Sequence, residues 1–198
     1  AGRCAALEAL KVEFPHLASR ITIYQTDANE RIQALCAEPW THRRAVLFLD
    51  PYGMQVEWST LEAVAATRAI DLWLLFPLGI GLVRLATRSG EIPEQWKARL
   101  NKLLGTDAWY DEFYQIERRP TLFGTTEEYV VRASVEHMGR YFIRRLQTIF
   151  PGVVTRPGVL RNSKNNPLYL LCFAVANERG MGPALRIAGH LLKELEQL

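Results

Sequence analysis

Residues 45–58 read AVLFLDPYGMQVEW, and two arginines, Arg43 and Arg44, stand directly before them. Ala45 to Leu49 are apolar at odd and even positions alike, the pattern of a strand covered by helices on each face. Asp50 emerges at the strand's end, where a carboxylate held away from water needs a partner. Pro51 fixes φ and brings no N–H. Tyr52 offers a flat aromatic face, and Gly53 permits a tight turn. A carboxylate beside a free carbonyl can hold an –NH2 group with its lone pair aimed at an electrophile. The same residues also read as an ordinary strand-to-loop turn, since Asp-Pro and Tyr-Gly are common turn dipeptides.

Strands and helices alternate on both sides of this stretch. Cys4, Leu7, Leu10 and Phe14 predict an amphipathic helix over 3–14, stopped by Pro15. RITIYQTD (20–27) predicts a strand and ANERIQALC (28–36) a short helix with Ile32, Leu35 and Cys36 inward. A helix over 57–69 places Trp58, Leu61, Val64 and Ala65 on one face, and IDLWLLFP (70–77) is a second two-sided strand. This rhythm predicts right-handed βαβ units and a parallel sheet.

Residues 81–150 hold no strong strand and read as a helical insertion. It has a helix over 93–104, an aromatic segment AWYDEFYQI (108–116), and a long helix over 126–149 opened by a Thr125/Glu128 capping box. GVVTRPGVL (152–160) and LYLLCFAVAN (168–177), joined by an Asn-rich turn, predict an antiparallel pair, and a last helix starts near Pro183. The expectation is one domain over 1–198. It is an α/β fold whose mostly parallel sheet has an antiparallel C-terminal edge strand, with helices on both faces.

The 198 residues, 48% of them apolar, suffice for one core. No apolar run is long enough to cross a membrane. Cys4, Cys36 and Cys172 form neither a disulfide framework nor a metal motif. His16, His42, His137 and His190 show no ligand spacing, so no metal is expected. A reducing, cytoplasmic setting is the simple reading. Net charge is only +3, yet 19 of the 24 basic residues are Arg. Arginine suits phosphate contact and base stacking, although a GC-rich genome also favours it. The chain opens AGRCAALEAL, inside a helical pattern, without Met or a signal peptide. Strands N-terminal to it are expected.

In open α/β sheets, ligands bind beyond the carboxyl ends of the strands. Asp27 ends the first predicted strand. Its carboxylate can accept from an exocyclic amine such as adenine N6, while the N–H groups of Ala28 and Asn29 serve the ring nitrogens. It can equally cap the following helix. Phe76 and Pro77 either wall a pocket or terminate their strand. Arg84 and Arg88 suit either a phosphate contact or a solvated helix face. Arg140 and Arg144 form a ridge that reads as a salt-bridged surface or a nucleic-acid track. Arg118 and Arg119, close to the aromatic segment, could stack bases. Asn177 reads as a turn residue and the cysteines as core fillers. No phosphate-binding G-x-x-x-x-G-K-[ST] loop occurs, which argues against a nucleotide hydrolase.

TDAN after one strand, FLDPYG after the next and the final LYLLCFAVAN together resemble the Rossmann-like S-adenosylmethionine-dependent methyltransferases. Across nearly the whole chain, RAVLFLDPYGMQVEWSTLEAVA, DLWLLFPLGIGLVRL and NSKNNPLYLLCFAVANERG resemble the three-Cys-motif partner protein (TcmP) family. The resemblance implies S-adenosylmethionine as cofactor, with Asp27, Ala28 and Asn29 at its adenine. It implies Asp50, Pro51 and Tyr52 as catalytic residues, in the place of the D/N-P-P-Y/F motif of amino-methyltransferases that act on nucleic-acid bases. Gly53, Phe76, Pro77 and Arg84 would touch the substrate. With its single Pro, D-P-Y-G is closer to the D-P-F/Y-G of enzymes that methylate the exocyclic amine of guanine in transfer RNA. The implied activity is methyl transfer to an amino nitrogen of DNA or RNA. The alternative is a non-catalytic protein of the same fold that binds nucleic acid or a companion bearing a three-cysteine motif. The acidic, Gly-rich loop and ribose-binding acid of such enzymes have no counterpart in these residues.

Overall fold

The computed structural model describes residues 2–120 and 125–195. In chain order the elements are α1 (Gly2–Glu13), α2 (Ala28–Cys36), β1 (Ala45–Leu49), α3 (Trp58–Ala66) and β2 (Ile70–Phe76). A π-turn at Leu78–Leu82 leads into α4 (Val83–Leu85), α5 (Glu94–Leu104) and α6 (Trp109–Phe113). There follow β3 (Tyr114–Pro120), β4 (Thr126–Arg132), α7 (Val135–Gln147), β5 (Gly152–Val153), β6 (Gly158–Arg161), β7 (Pro167–Val175) and α8 (Met181–Leu195).

The result is an α/β fold with a mixed, five-stranded sheet in the order β1-β2-β7-β5, with β6 also paired to β7. β1 and β2 are parallel, in register from Ala45↔Ile70 to Leu49↔Leu74. β7 runs antiparallel to β2, β5 and β6, so those strands and β1 all point one way. The antiparallel strand therefore lies inside the sheet, where the sequence suggested an edge. PLYLLCFAV explains this: nine nearly all-apolar residues can be paired on both edges and buried on both faces. β5 and β6 are two pieces of one interrupted strand. Val153 faces Ala174 and Gly158 faces Leu171, so the four residues 154–157 span only two partner positions: Val154 still donates to Phe173 O, and 155–157 form a bulge.

Two other expectations are corrected. Residues 20–27 form no strand: 21–27 are irregular and unpaired, with a bend at Thr26, and the Arg31 guanidinium lies 4.2 Å from the centre of the Tyr24 ring. A segment of strand composition becomes a strand only beside a partner, and among the described residues β1 is paired along one edge, to β2. The 81–150 segment is not purely helical, because β3 and β4 form a hairpin in register from Tyr114↔Arg132 to Pro120↔Thr126. β-branched and aromatic residues (Ile116, Tyr129, Val130, Val131) and the Arg118–Glu128 ion pair at 2.9 Å favour it over a helix. Glu128 thus belongs to β4, and α7 is capped instead by Ser134, whose hydroxyl accepts from the His137 N–H at 3.1 Å.

One sheet face builds the main core. Leu72, Leu74 and Phe76 of β2 and Leu170, Cys172 and Ala174 of β7 meet α3, α5 and α7 there. Phe76 is fully buried and stacks on Phe142 of α7 with ring centroids 3.6 Å apart. Gly105 ends α5 at φ +67°, and a Cβ there would strike the Trp58 indole, so the site requires glycine twice over. On the opposite face α8 covers only the β7 side, where Ala188 and Leu192 pack on Phe173 and Val175. The β1 side is open, with Val46 67% and Phe48 60% exposed, so two-sided burial of this strand is not realised. The Ala45 N–H donates to Ala69 O, and strand alternation then turns the N–H groups of Val46 and Phe48 away from β2.

Burial on a single face gives an asymmetric mutational response. Leu49→Ala should cost about 2–5 kcal/mol in urea unfolding. Phe48→Ala, one residue away, should cost less than about 1 kcal/mol. Burial also pushes the Tyr114 hydroxyl, which donates to Thr87 O at 2.7 Å, up to about 12. A tyrosine whose folded-state value is raised favours folding below its ordinary value near 10 and loses that contribution as pH climbs toward 12. Unfolding midpoints should fall over that window and fall less in Tyr114→Phe.

Candidate functional site

Because β1 and β2 are parallel and in register, their carboxyl ends open on one rim. Asp50 leaves β1 there. It is exposed, and among the described residues it makes no hydrogen bond or ion pair. Water meets the need that a buried carboxylate would have filled with a partner. Pro51 is half-buried, whereas Tyr52 is 75% exposed. Gly53 has φ +68° with nothing within 4 Å of a hypothetical Cβ. Backbone conformation, not crowding, therefore demands glycine there. The loop is anchored by Met54, which packs over Gly81 so closely that a Cβ on Gly81 would lie 2.9 Å from Met54 Cγ.

The start of α2 sits against the chain leaving this loop. Asp27 caps the helix: its Oδ1 accepts from the N–H groups of Asn29 at 2.8 Å and Glu30 at 3.2 Å. Both bonds fall on one oxygen, and no hydrogen bond to Oδ2 is present among the described residues. Asn29 makes the junction. Its Nδ2 donates to Gln55 O at 2.8 Å, and its Oδ1 accepts from the Glu57 N–H at 3.0 Å and the Thr60 hydroxyl at 2.8 Å. Gln33 Nε2 donates to the same Thr60 oxygen at 3.0 Å. Thr60 is fully buried, and these contacts satisfy it.

This arrangement corrects one role. The Asn29 N–H is spent on Asp27 and is not available to a ring nitrogen, and its side chain is a structural clasp. The Ala28 N–H, at the first turn of α2, remains. A threonine on the apolar face of α3 was the sequence clue to a polar partner, but nothing in the sequence pointed to Asn29 as that partner.

The other candidates scatter. Phe76 is enclosed in the core and Pro77 is buried beside it, so neither presents a surface to a substrate. Arg84 is exposed on α4. Arg144 pairs with Glu112 at 2.9 Å, and His137 Nε2 lies 3.3 Å from the same carboxylate, a salt-bridged helix surface. Arg118 pairs with Glu128, and Arg119 with Glu117 at 2.7 Å. Asn177 caps a 3-10 turn by accepting from the Arg179 N–H. Burial raises the Cys172 and Cys36 thiols above their usual range, which makes them poorer nucleophiles. Among the described residues no group of three His, Cys, Asp or Glu is placed to hold a metal ion. Among the described residues, no helix is long and apolar enough to cross a membrane.

Comparison of the chain with protein-family profiles, curated proteins and solved structures returns no match. The functional argument therefore stands on the rim itself. Asn29→Ala should cost about 1–3 kcal/mol, because it leaves buried Thr60 and the Glu57 N–H short of partners. Asp27→Ala should cost only about 1 kcal/mol, the worth of one N-cap. Urea unfolding of the two variants ranks them.

Proposed function

We propose that the protein is an S-adenosylmethionine-dependent methyltransferase of the three-Cys-motif partner type, acting on an amino nitrogen of a nucleic-acid base. The observation that carries this reading is the rim. An exposed carboxylate (Asp50), a residue without an N–H (Pro51) and an exposed aromatic ring (Tyr52) follow one another beyond the end of a parallel strand. The sheet order, with parallel β1 and β2 beside an antiparallel β7, is compatible with the fold this activity uses.

The described residues fit one part of the cofactor. Asp27 Oδ2 and the Ala28 N–H form an acceptor–donor pair suited to the N6 and N1 edge of adenine, held by Asn29 against the loop that follows Asp50. S-adenosylmethionine, when bound, supplies the methyl group. Asp50 accepts a hydrogen bond from the target –NH2 and fixes its orientation, the carbonyl beside Pro51 takes the second N–H, and Tyr52 stacks on the base. A base within a duplex must first leave the stack.

A second reading keeps the fold without the chemistry: a protein that binds nucleic acid or a companion bearing a three-cysteine motif. The exposed Val46 and Phe48 beside the unpaired edge of β1 favour it. Calorimetric titration with S-adenosylhomocysteine separates the two. The enzyme reading expects binding that weakens at least tenfold in Asp27→Ala and persists in Asp50→Ala. Asp50→Ala should abolish methyl transfer to single-stranded nucleic acid. Absence of heat with the unaltered protein removes the enzyme reading.

A further inference from the structure

The bulge between β5 and β6 creates a cleft that the rim reading does not use. Val154 still donates to Phe173 O at 3.0 Å, after which residues 155–157 leave the ladder, and α7 crosses the gap with Gly139 facing it. A Cβ on Gly139 would meet Leu170 Cδ1 at 3.2 Å and Leu78 Cδ2 at 3.7 Å, so glycine lets α7 pack directly on the Leu78 and Leu170 side chains that line the cleft. The cleft has a volume of about 160 Å³, and its floor is apolar: Leu78, Ile143, Pro157, Val159, Pro167 and Leu170. Its mouth is charged. Arg140 of α7 and Arg161 of β6 line it together with one acid, Glu136. Arg161 donates to Asn165 O at 3.0 Å, while Arg140 forms no ion pair or hydrogen bond among the described residues. Two guanidinium groups against one carboxylate leave the mouth with an excess positive charge.

Volume and chemistry together select the occupant. An apolar cavity of about 150 Å³ accepts a single benzene ring, so this floor holds one aromatic ring and not a fused pair. Two guanidinium groups supplied by different elements suit a tetrahedral phosphate, which has oxygens enough for both, better than a carboxylate. We propose that this cleft is a binding site for a pyrimidine nucleotide, the ring on the Leu78–Leu170 floor and the phosphate between Arg140 and Arg161. Binding here does not require methyl transfer at Asp50, and the two readings stand or fall separately. The nucleotide can come free or as one residue of a single strand.

Calorimetry of the whole chain with thymidine 5′-monophosphate, thymidine and a short oligothymidylate tests this. Thymidine 5′-monophosphate should bind at least tenfold more tightly than thymidine. Arg140→Gln, a change at an exposed position, should erase most of that advantage, and Gly139→Val should block all three ligands. Circular dichroism confirms that Gly139→Val is folded, and where it is not, Val159→Phe fills the same floor. A tighter oligothymidylate that responds to both variants identifies a strand as the source, whereas equal affinity identifies the free nucleotide. Absence of binding, a phosphate that adds nothing, or binding unchanged by either variant overturns the proposal.

Discussion

The pairing of β7 along both of its edges is the constraint on which the rest depends. One nine-residue strand is shared by β2 on one side and by β5 and β6 on the other. Its inward residues Leu170, Cys172 and Ala174 belong to the main core, and Phe173 and Val175 anchor α8 on the opposite face. Because β7 runs against its neighbours, β1, β2 and β6 end toward the edge where β7 begins, whereas β5 stops opposite Ala174. The Asp50 loop and the apolar cleft both lie at that edge.

Two devices then shape the edge. The Asn29 clasp brings the start of α2 against the chain leaving Asp50, so the two acids singled out by the sequence stand on neighbouring elements, though one carboxylate is partly committed to capping a helix. The bulge at 155–157 opens the second feature by separating the chain from β7 between Val154 and Gly158. Both are polar or irregular departures from regular pairing, held by a well-packed core beneath. Rigid sheet below and irregular chain above is the usual division between scaffold and site.

Legibility in the sequence followed locality. α2, α3, α5 and α8 were readable because capping, proline and apolar spacing are local, and β1 and β2 because their apolar runs are short and bounded. Pairing is not local. The sequence of 20–27 has strand composition but carries no information about whether a neighbour stands beside it, and β7 inside the sheet depends on Phe76 meeting Leu170 across nearly a hundred residues. The β3–β4 hairpin was hidden because Thr125 and Glu128 mimic a capping box when the cross-strand partner Arg118 is out of view. Asp50 and Tyr52 lie just past the end of β1, as read, but they are exposed, whereas the sequence suggested a carboxylate held away from water. Phe76 ends β2, the plainer of its two readings, and its ring serves the core, as an aromatic at a strand's last position does as readily as it lines a pocket.

Amide hydrogen exchange along the sheet tests this architecture most directly. In β7 the amides of Leu170, Cys172 and Ala174, directed toward β2, and those of Leu171 and Val175, directed toward β6 and β5, should all exchange slowly. In β1 the Leu47 and Leu49 amides, directed toward β2, should exchange slowly, and those of Val46 and Phe48 should exchange fast. Equal protection at all four β1 positions, or fast exchange at alternate positions of β7, would contradict a sheet organised around that strand with its β1 edge open.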